Sequence, residues 1–498
     1  MNSTRLKTLI LSCLITGAAI LGVCAILMGT PAMMAQAGSG PERPNILFIN
    51  VDDLGWTDLG FMGSTYYETP HIDQLAAEGM IFKNAYAPAA NCAPSRAVVF
   101  TGQYGPRHGV YTVGNSDRGQ ARFRQLVPTP NMLYIEEENL TFVSLLKDAG
   151  YATCHIGKWH ISGDPLKHGF ETNIGGWEFG HPRGGYFSPY RNPALADGPE
   201  GEYLTDRITE EAIGYLEGLD QQRPFFLSMQ FYTVHTPLQA KSETVAKYEA
   251  KLPTANHFNP VYAAMIEHMD TSVGRLLGTL DDLGIRDNTM ILFTSDNGGI
   301  YEVSRQSPLR GEKGSYYEGG IREPMVIRWP GRVSPGSRSD APVSGVDFYP
   351  TFLEVAGIEP PEDKVLDGVS LIPLVTETDT IPERALHWHF PVYLQAYGQG
   401  NVETRDLLFR TRPGAVMRLG RWKLHEYFED GALELYDLHA DIGERQNLSE
   451  ILPEKTEELH GLMKDWREKT GAPVPTERNP RYDAEAEARE VRTRFLQE

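Results

Sequence analysis

The sequence predicts an α/β protein: a large central sheet, mostly parallel or mixed and flanked by helices, followed by a smaller C-terminal antiparallel sheet with a helix. Two patterns predict it. From Pro44 onward apolar runs alternate with amphipathic segments, and after about Thr380 the chain breaks into short strand-like stretches separated by turns. A third observation concerns position. The apolar runs of the first part end in polar residues, Asp52-Asp53, Lys158 to His160, His235 and Asp296-Asn297, and open α/β sheets bind ligands beyond the carboxyl ends of their strands.

Residues 1–37 stand apart from the rest. Arg5 and Lys7 precede an apolar run from Leu9 to Met28 that closes on small residues and Ala35-Gln36-Ala37, the pattern of a signal peptide. The run is long enough for an uncleaved signal anchor, which needs about 20 apolar residues. Leu21-Gly22-Val23-Cys24 loosely resembles a lipoprotein box, with a poorly suited valine before the cysteine. The Ala-x-Ala site favours cleavage, hence export to the periplasm or medium with no stable membrane span.

A first domain is expected over 43–375. Asn45 to Val51 reads as a strand buried on both faces, His71 to Gly79 as a helix behind Pro70, and Thr141 to Ala149 as a helix stopped by Gly150. Tyr151 to Ile156, Phe225 to Phe231 and Met290 to Thr294 read as further core strands, and Pro260 to Leu283 carries apolar residues at helical spacing. Asp347 to Gly357 reads as the last helix before a Pro- and Glu-rich connection. A C-terminal subdomain is expected over 380–472. Asp406 to Arg410, Ala415 to Leu419, Trp422 to Glu426 and Ala432 to Tyr436 read as an antiparallel meander, and Leu452 to Thr470 as its helix. Residues 473–498 read as a charged surface tail.

The net charge is −20, and the segment 1–37 holds basic but no acidic residues, so a chain without it is more acidic still. Nucleic acid and anionic membranes are thereby disfavoured as partners, and an anionic substrate needs a local cationic pocket. Of four cysteines, Cys13 and Cys24 fall in the signal segment, leaving Cys92 and Cys154. That excludes a disulfide framework and leaves a single Cys92 to Cys154 bridge as an alternative.

Three groups of residues carry chemistry. Cys92-Ala93-Pro94-Ser95-Arg96, followed by Thr101-Gly102, reads on residue types alone as a helix start with a small buried cysteine near its cap. Asp52, Asp53, Asp296 and Asn297 are oxygen donors at two strand ends, ordinary turn residues singly, but together suited to calcium or magnesium and not to zinc. The basic set is Arg96, Lys158, His160, His235 and Lys313, in the elements Gly157-Lys158-Trp159-His160, His235-Thr236-Pro237 and Gly311-Glu312-Lys313-Gly314, the last followed by Glu318-Gly319-Gly320-Ile321-Arg322.

In this order the motifs resemble those of the formylglycine-dependent sulfatases of the alkaline phosphatase superfamily, from about Pro44 to about Leu448. The resemblance implies that Cys92 is oxidised to formylglycine by a separate maturation enzyme that reads the Pro and Arg of the motif. It implies one divalent cation, usually calcium with magnesium the alternative, held by Asp52, Asp53, Asp296 and Asn297 and touching the modified Cys92. It implies that Arg96 and Lys158 orient the formylglycine hydroxyls, and that Lys158, His235 and Lys313 grip sulfate oxygens. His160 is then the base for the hydroxyl that collapses to aldehyde, and His235 the proton donor to the leaving group. The aldehyde hydrate has a physical advantage: one hydroxyl attacks sulfur and the other later expels sulfate, so no water need attack a crowded anionic ester. The implied substrate is a sulfated carbohydrate or aryl sulfate. Two other readings stay open: a phosphonate monoester or phosphodiester hydrolase using the same site, and a binder of sulfated glycans that is never matured. The aromatic and histidine-rich stretches Trp177 to Arg191 and His387-Trp388-His389-Phe390 suit either a sugar platform or packing.

Overall fold

The computed structural model describes residues 43–397 and 404–495; the segment 1–37 read as a signal peptide lies outside them. Nine strands form the central sheet: β1 (Asn45–Val51), β2 (Met80–Tyr86), β3 (Ala152–Gly157), β4 (Thr172–Ile174), β5 (Phe225–Gln230), β6 (Thr289–Ser295), β7 (Arg322–Arg328), β8 (Ser337–Ser339) and β9 (Val343–Ser344). Their order is β4-β3-β5-β1-β6-β7-β2-β8, with β9 also on β2. The run from β4 to β6 is parallel, and β7 is antiparallel to both β6 and β2. The fold class is therefore the mixed α/β one predicted.

Period-two alternation splits β1 between two cores. Leu47, Ile49 and Val51 pack on one face with residues of α1 (Pro70–Glu78), α4 (Leu204–Glu217) and α6 (Pro260–Asp282). Ile46 and Phe48 pack on the other with α2 (Cys92–Thr101), α3 (Phe142–Asp148) and α8 (Phe348–Ala356). Three shorter helices, α5 (Ser242–Glu249), α7 (Glu318–Ile321) and α9 (Ile372–Val375), complete this part. The long α6 starts where the sequence says it should. Pro260 occupies its first turn, and the Asn259 side chain accepts from the backbone N–H groups of Val261 and Tyr262.

The C-terminal part contains β10 (Leu386–Phe390), β11 (Leu394–Gln395), β12 (Phe409–Thr411), β13 (Gly414–Leu419), β14 (Trp422–Tyr427) and β15 (Leu433–Asp437), with α10 (Pro453–Thr470) packed on β13 and β14. The antiparallel sheet runs β10-β13-β14-β15. Two expectations need correcting. The strand expected over Asp406 to Arg410 is not part of this meander: the Asp406 carboxylate accepts from the N–H groups of Leu408 and Phe409, a turn that delays the strand, and β12 pairs with β11 instead. Its place is taken by β10, whose His387-Trp388-His389-Phe390 side chains are buried. Packing is thus the role of that stretch; the Trp388 indole N–H donates to the Ala87 carbonyl of the main domain.

The tail from Pro473 is charged as read, but it is not merely a surface extension. It carries α11 (Ala484–Phe495), buries Ala486 against Phe123, Tyr393, Leu408 and Phe409, and ties its Glu487 to Arg412. Cys92 and Cys154 are both free and buried, so the alternative bridge is not formed.

The two sheets are joined by buried charge. Lys423 on β14 donates to Glu318 Oε1 at 2.8 Å and lies 3.0 Å from Glu444 Oε1, all three side chains being fully buried. Glu318 also accepts from Tyr86 on β2 and Arg322 on β7. Removing the ammonium leaves Glu318 to Arg322 and strips Glu444 of its lysine in a dry site, so Lys423→Met should lower unfolding free energy in denaturant by about 3 kcal/mol; a loss below about 1 kcal/mol would contradict this.

A second prediction concerns pH. Asp270 of α6 accepts from the backbone N–H groups of His71 and Ile72 in the first turn of α1, and burial pushes its carboxyl up to about 7. A folded-state value above the unfolded one means that the unfolded chain releases this proton first, so stability falls as pH rises between about 4 and about 7. Asp270→Asn should therefore gain melting temperature relative to wild type at pH 8 compared with pH 5. An equal difference at both values would refute the assignment.

Candidate active site

Strand register assembles the site. Val51 of β1 pairs with Ser295 of β6, so the residues that follow, Asp52-Asp53 and Asp296-Asn297, emerge side by side. On the other flank Asn50 pairs with Gln230 of β5, and Gln230 with Gly157 of β3. Gly157 is at φ 93°, and a Cβ there would fall 2.0 Å from the Gln230 carbonyl oxygen, so only glycine lets Lys158 leave the strand at this point. Asp53, at φ 63°, turns the chain in the same left-handed way at the end of β1.

Cys92 is the first residue of α2, and its N-cap Asn91 makes no side-chain cap. One turn on, Arg96 is 1% exposed. Its Nε donates to Asp296 Oδ2 at 2.8 Å, and its Nη1 to the Lys158 carbonyl at 2.9 Å and Gln230 Oε1 at 2.8 Å. Most of this guanidinium therefore clamps the strand ends together, and only the buried Nη2 is without a partner. Gln230, which also accepts from Asn50 Nδ2 at 2.9 Å, escaped the sequence reading. It stands at the end of an apolar strand like the others, and that signal would have found it.

Two lysines face the carboxylates. Lys158 Nζ donates to Asp52 Oδ2 at 2.6 Å, and Lys313 Nζ to Asp53 Oδ1 at 2.5 Å, which also accepts from Asn297 Nδ2 at 2.8 Å. Burial raises the Asp52 carboxyl, aided by Asp296 and Asp53 and opposed by Lys158. Burial works on Asp53 too, but there Lys313 and His235 prevail and hold it well below the usual carboxylate range. Each donor takes one oxygen only. Asp52 Oδ1, Asp53 Oδ2 and Asn297 Oδ1 remain buried without partners, an all-oxygen set that fits a hard divalent cation. One ligand atom each from Asp52, Cys92 and Asp296 lie within 4.8 Å of one another, as do those from Asp52, Asp53 and His235. Burial pushes the Cys92 thiol up despite Lys158 and Lys313 beside it, so the encoded cysteine is a protonated thiol and a poor nucleophile.

Opposite the carboxylates stand two histidines. His235 Nδ1 lies 2.6 Å from the Thr236 carbonyl, which can only accept, so Nδ1 carries the proton and Nε2 is turned toward Asp53 at 3.8 Å. Burial, with Lys313 next, pushes its pKa down to about 3, and a bound anion would raise it. His160, at φ 72°, is likewise kept neutral by burial and by Lys158 and Arg96. A Cβ on Gly180 would lie 2.1 Å from His160 Cε1, so the absence of a side chain at 180 makes room for the imidazole.

These residues border a cavity of about 400 Å³ lined by Cys92, His160, His235 and Lys313, by His181 and, among residues not singled out from sequence, by Arg118, Tyr397 and Arg410. The Trp177 to Arg191 stretch divides: His181 lines the cavity, while Tyr186 and Tyr190 are core residues. All the expected site residues, Asp52, Asp53, Cys92, Arg96, Lys158, His160, His235, Asp296, Asn297 and Lys313, belong to this one neighbourhood.

Fold and site together place three aspartates, three basic side chains bonded to them and Cys92 at a helix N-terminus in one pocket, an arrangement suited to hydrolysis of an anionic ester. Comparison with known proteins supplies the family. The Sulfatase family model matches residues 44–358, and a model of the N-sulphoglucosamine sulphohydrolase C-terminal region matches 312–469. A sulfatase of Formosa agariphila is 32% identical, over 87% of this chain and 90% of that protein. The N-acetylgalactosamine-6-sulfatase of Canis lupus familiaris is 34% identical, over 89% of this chain and 82% of that protein. Among solved structures, Ps i-CgsB in complex with k-i-k-neocarrahexaose superposes with a TM-score of 0.70 at 28% identity, covering 91% of this chain and 98% of that one. The chain belongs to the sulfatase family, and it is a sulfuric ester hydrolase.

Because Gly180 abuts His160, Gly180→Ala should displace the imidazole that lines the cavity and lower kcat for sulfate ester hydrolysis at least about tenfold. Circular dichroism should show the fold retained. Unchanged kcat would show that His160 has no positional role.

Proposed function

We propose that this chain is an exported sulfatase that removes sulfate from a carbohydrate, using formylglycine made from Cys92 and one divalent cation, calcium before magnesium. One observation carries the reading: Cys92 stands beside Asp52 and Asp296, close enough to Lys158 and Lys313 to feel their charge, next to three unpartnered oxygens on Asp52, Asp53 and Asn297. The carbohydrate is supported by the relatives, one named for N-acetylgalactosamine-6-sulfate and one solved with a neocarrahexaose. Residues 43–375 would form the catalytic domain and 380–472 the subdomain that closes the cavity.

Asp52, Asp53, Asp296 and Asn297 would hold the cation, which when bound draws charge from a sulfuryl oxygen. Formylglycine supplies a geminal diol, so that attack on sulfur and release of sulfate use different hydroxyls. The chain's own residues do the rest. Lys158 and Lys313 neutralise the sulfate oxygens, and Arg96 Nη2 fixes the hydroxyl of residue 92 nearest it. His235, charged once an anion is bound, gives its Nε2 proton to the departing sugar oxygen. His160, neutral in its buried position, takes the proton of the second hydroxyl. The lysines now held by Asp52 and Asp53 are the groups that a cation would free for the substrate.

Matured protein should hydrolyse an aryl sulfate faster than an aryl phosphonate monoester; a preference for phosphorus would move the assignment to the phosphonate and phosphodiester reading. Cys92→Ala should fold and lose hydrolysis entirely, and mass spectrometry of the peptide containing residue 92 should show the aldehyde. An unmodified thiol in natively produced protein would favour the glycan-binder reading. Calcium should raise the melting temperature of wild type by several degrees, since a ligand at about 100 times its Kd stabilises by about 2.7 kcal/mol. Asp53→Asn should abolish that rise.

A further inference from the structure

We propose that Arg118 and Arg410 form a second anion subsite in the cavity above Cys92, so that the preferred sugar carries another anionic substituent, a carboxylate or a second sulfate, besides the ester that is cleaved. The proposal rests on the sulfatase reading and narrows its substrate class.

Both guanidiniums line the same cavity as Cys92, His160, His235 and Lys313. Arg410 of β12 is 8% exposed. Its Nε donates to the Gln395 carbonyl at 3.0 Å, its Nη1 to the Lys313 carbonyl at 3.0 Å, and its guanidinium carbon lies 3.6 Å from the centre of the Tyr397 ring. Arg118 is half-buried; its Nε donates to Gln395 Oε1 at 3.1 Å and its Nη1 to the Val113 carbonyl at 3.4 Å. Gln395 of β11 thus aims both cations, one with its backbone and one with its side chain.

What these arginines lack is a direct ion pair; the buried Glu312 acts on Arg410 only at a distance. Among the described residues neither has a carboxylate within 4.0 Å, and no acceptor meets the Nη2 of either. Glu302, the acidic residue lining the cavity, pairs with neither. Arg412, two residues along, shows the opposite treatment: Asp406, Glu429 and Glu487 all pair with it. Two guanidiniums held near each other without an anion repel; burial and Arg410 both press against the charge on Arg118. In a chain of net charge −20 with carboxylates to spare, neither member of this cavity-lining pair is given a direct ion pair. Forked N–H donors of this kind match the planar oxygens of a carboxylate and the oxygens of a sulfate.

The test compares kcat/KM for a sulfated disaccharide whose remaining groups are neutral with counterparts bearing either a carboxylate or a second sulfate. An aryl sulfate serves as the reference within each variant, so that any disturbance of Lys313 cancels. Wild type should prefer a doubly charged sugar by about ten- to hundredfold, the span of one or two charge-assisted hydrogen bonds. Arg118→Gln and Arg410→Gln should each cut that preference at least about tenfold, mainly through KM, with Arg118→Lys retaining part of it. Preference for the carboxylated or for the disulfated sugar supports the subsite and identifies its ligand. A preference equal in wild type and Arg118→Gln, alongside intact sulfate hydrolysis, overturns the subsite alone. Absence of hydrolysis of any sulfate ester by matured wild type overturns the sulfatase reading and the subsite with it.

Discussion

The pairing of β1 with β6 is the constraint on which the rest depends. A parallel register that sets Val51 against Ser295 makes three aspartates and an asparagine leave the sheet at one point, in a place with almost no water. Such crowding is unfavourable unless positive charge is brought to it. Arg96, Lys158 and Lys313 come from three separate segments to supply that charge, and their recruitment fixes the position of α2, the end of β3 and the loop before β7. The structural role of these cations and the catalytic role proposed for them are therefore one arrangement seen from two sides.

The C-terminal part extends the same logic outward. Lys423 anchors β14 to Glu318, which stands just before β7, so the small sheet is held by charge where it meets the large one. Through Arg410 and Gln395 the β11–β12 ribbon reaches from that anchor to the mouth of the cavity.

Much of this was legible in the sequence. Strands buried on both faces leave unbroken apolar runs, so β1, β3, β5 and β6 were readable to within a residue or two, and the polar residues that end them marked the site. What the pattern could not carry is pairing between distant segments. Leu386 to Phe390 alternates apolar and polar residues, yet both faces of β10 are buried, so the two histidines left the stretch open between a sugar platform and packing. Asp406 to Arg410 read as part of a meander because its turn depends on one carboxylate, and α11 read as a tail because its few apolar residues meet partners more than seventy positions away. Arg118 and Arg410 belong to no motif; only the fold shows them sharing a cavity.

The burial of α2 has a consequence for how the molecule is made. Every residue from Cys92 to Thr101 is buried, and Pro94 and Arg96, which a modifying enzyme would have to read, are packed beneath the strand ends. Once folded, the chain offers such an enzyme no substrate. The proposed oxidation of Cys92 would therefore belong to the interval between synthesis and folding, and a molecule that folded first would stay silent. On that reading the active fraction of a preparation would record a race, set by how quickly the host modifies the nascent chain and not by how much protein it makes.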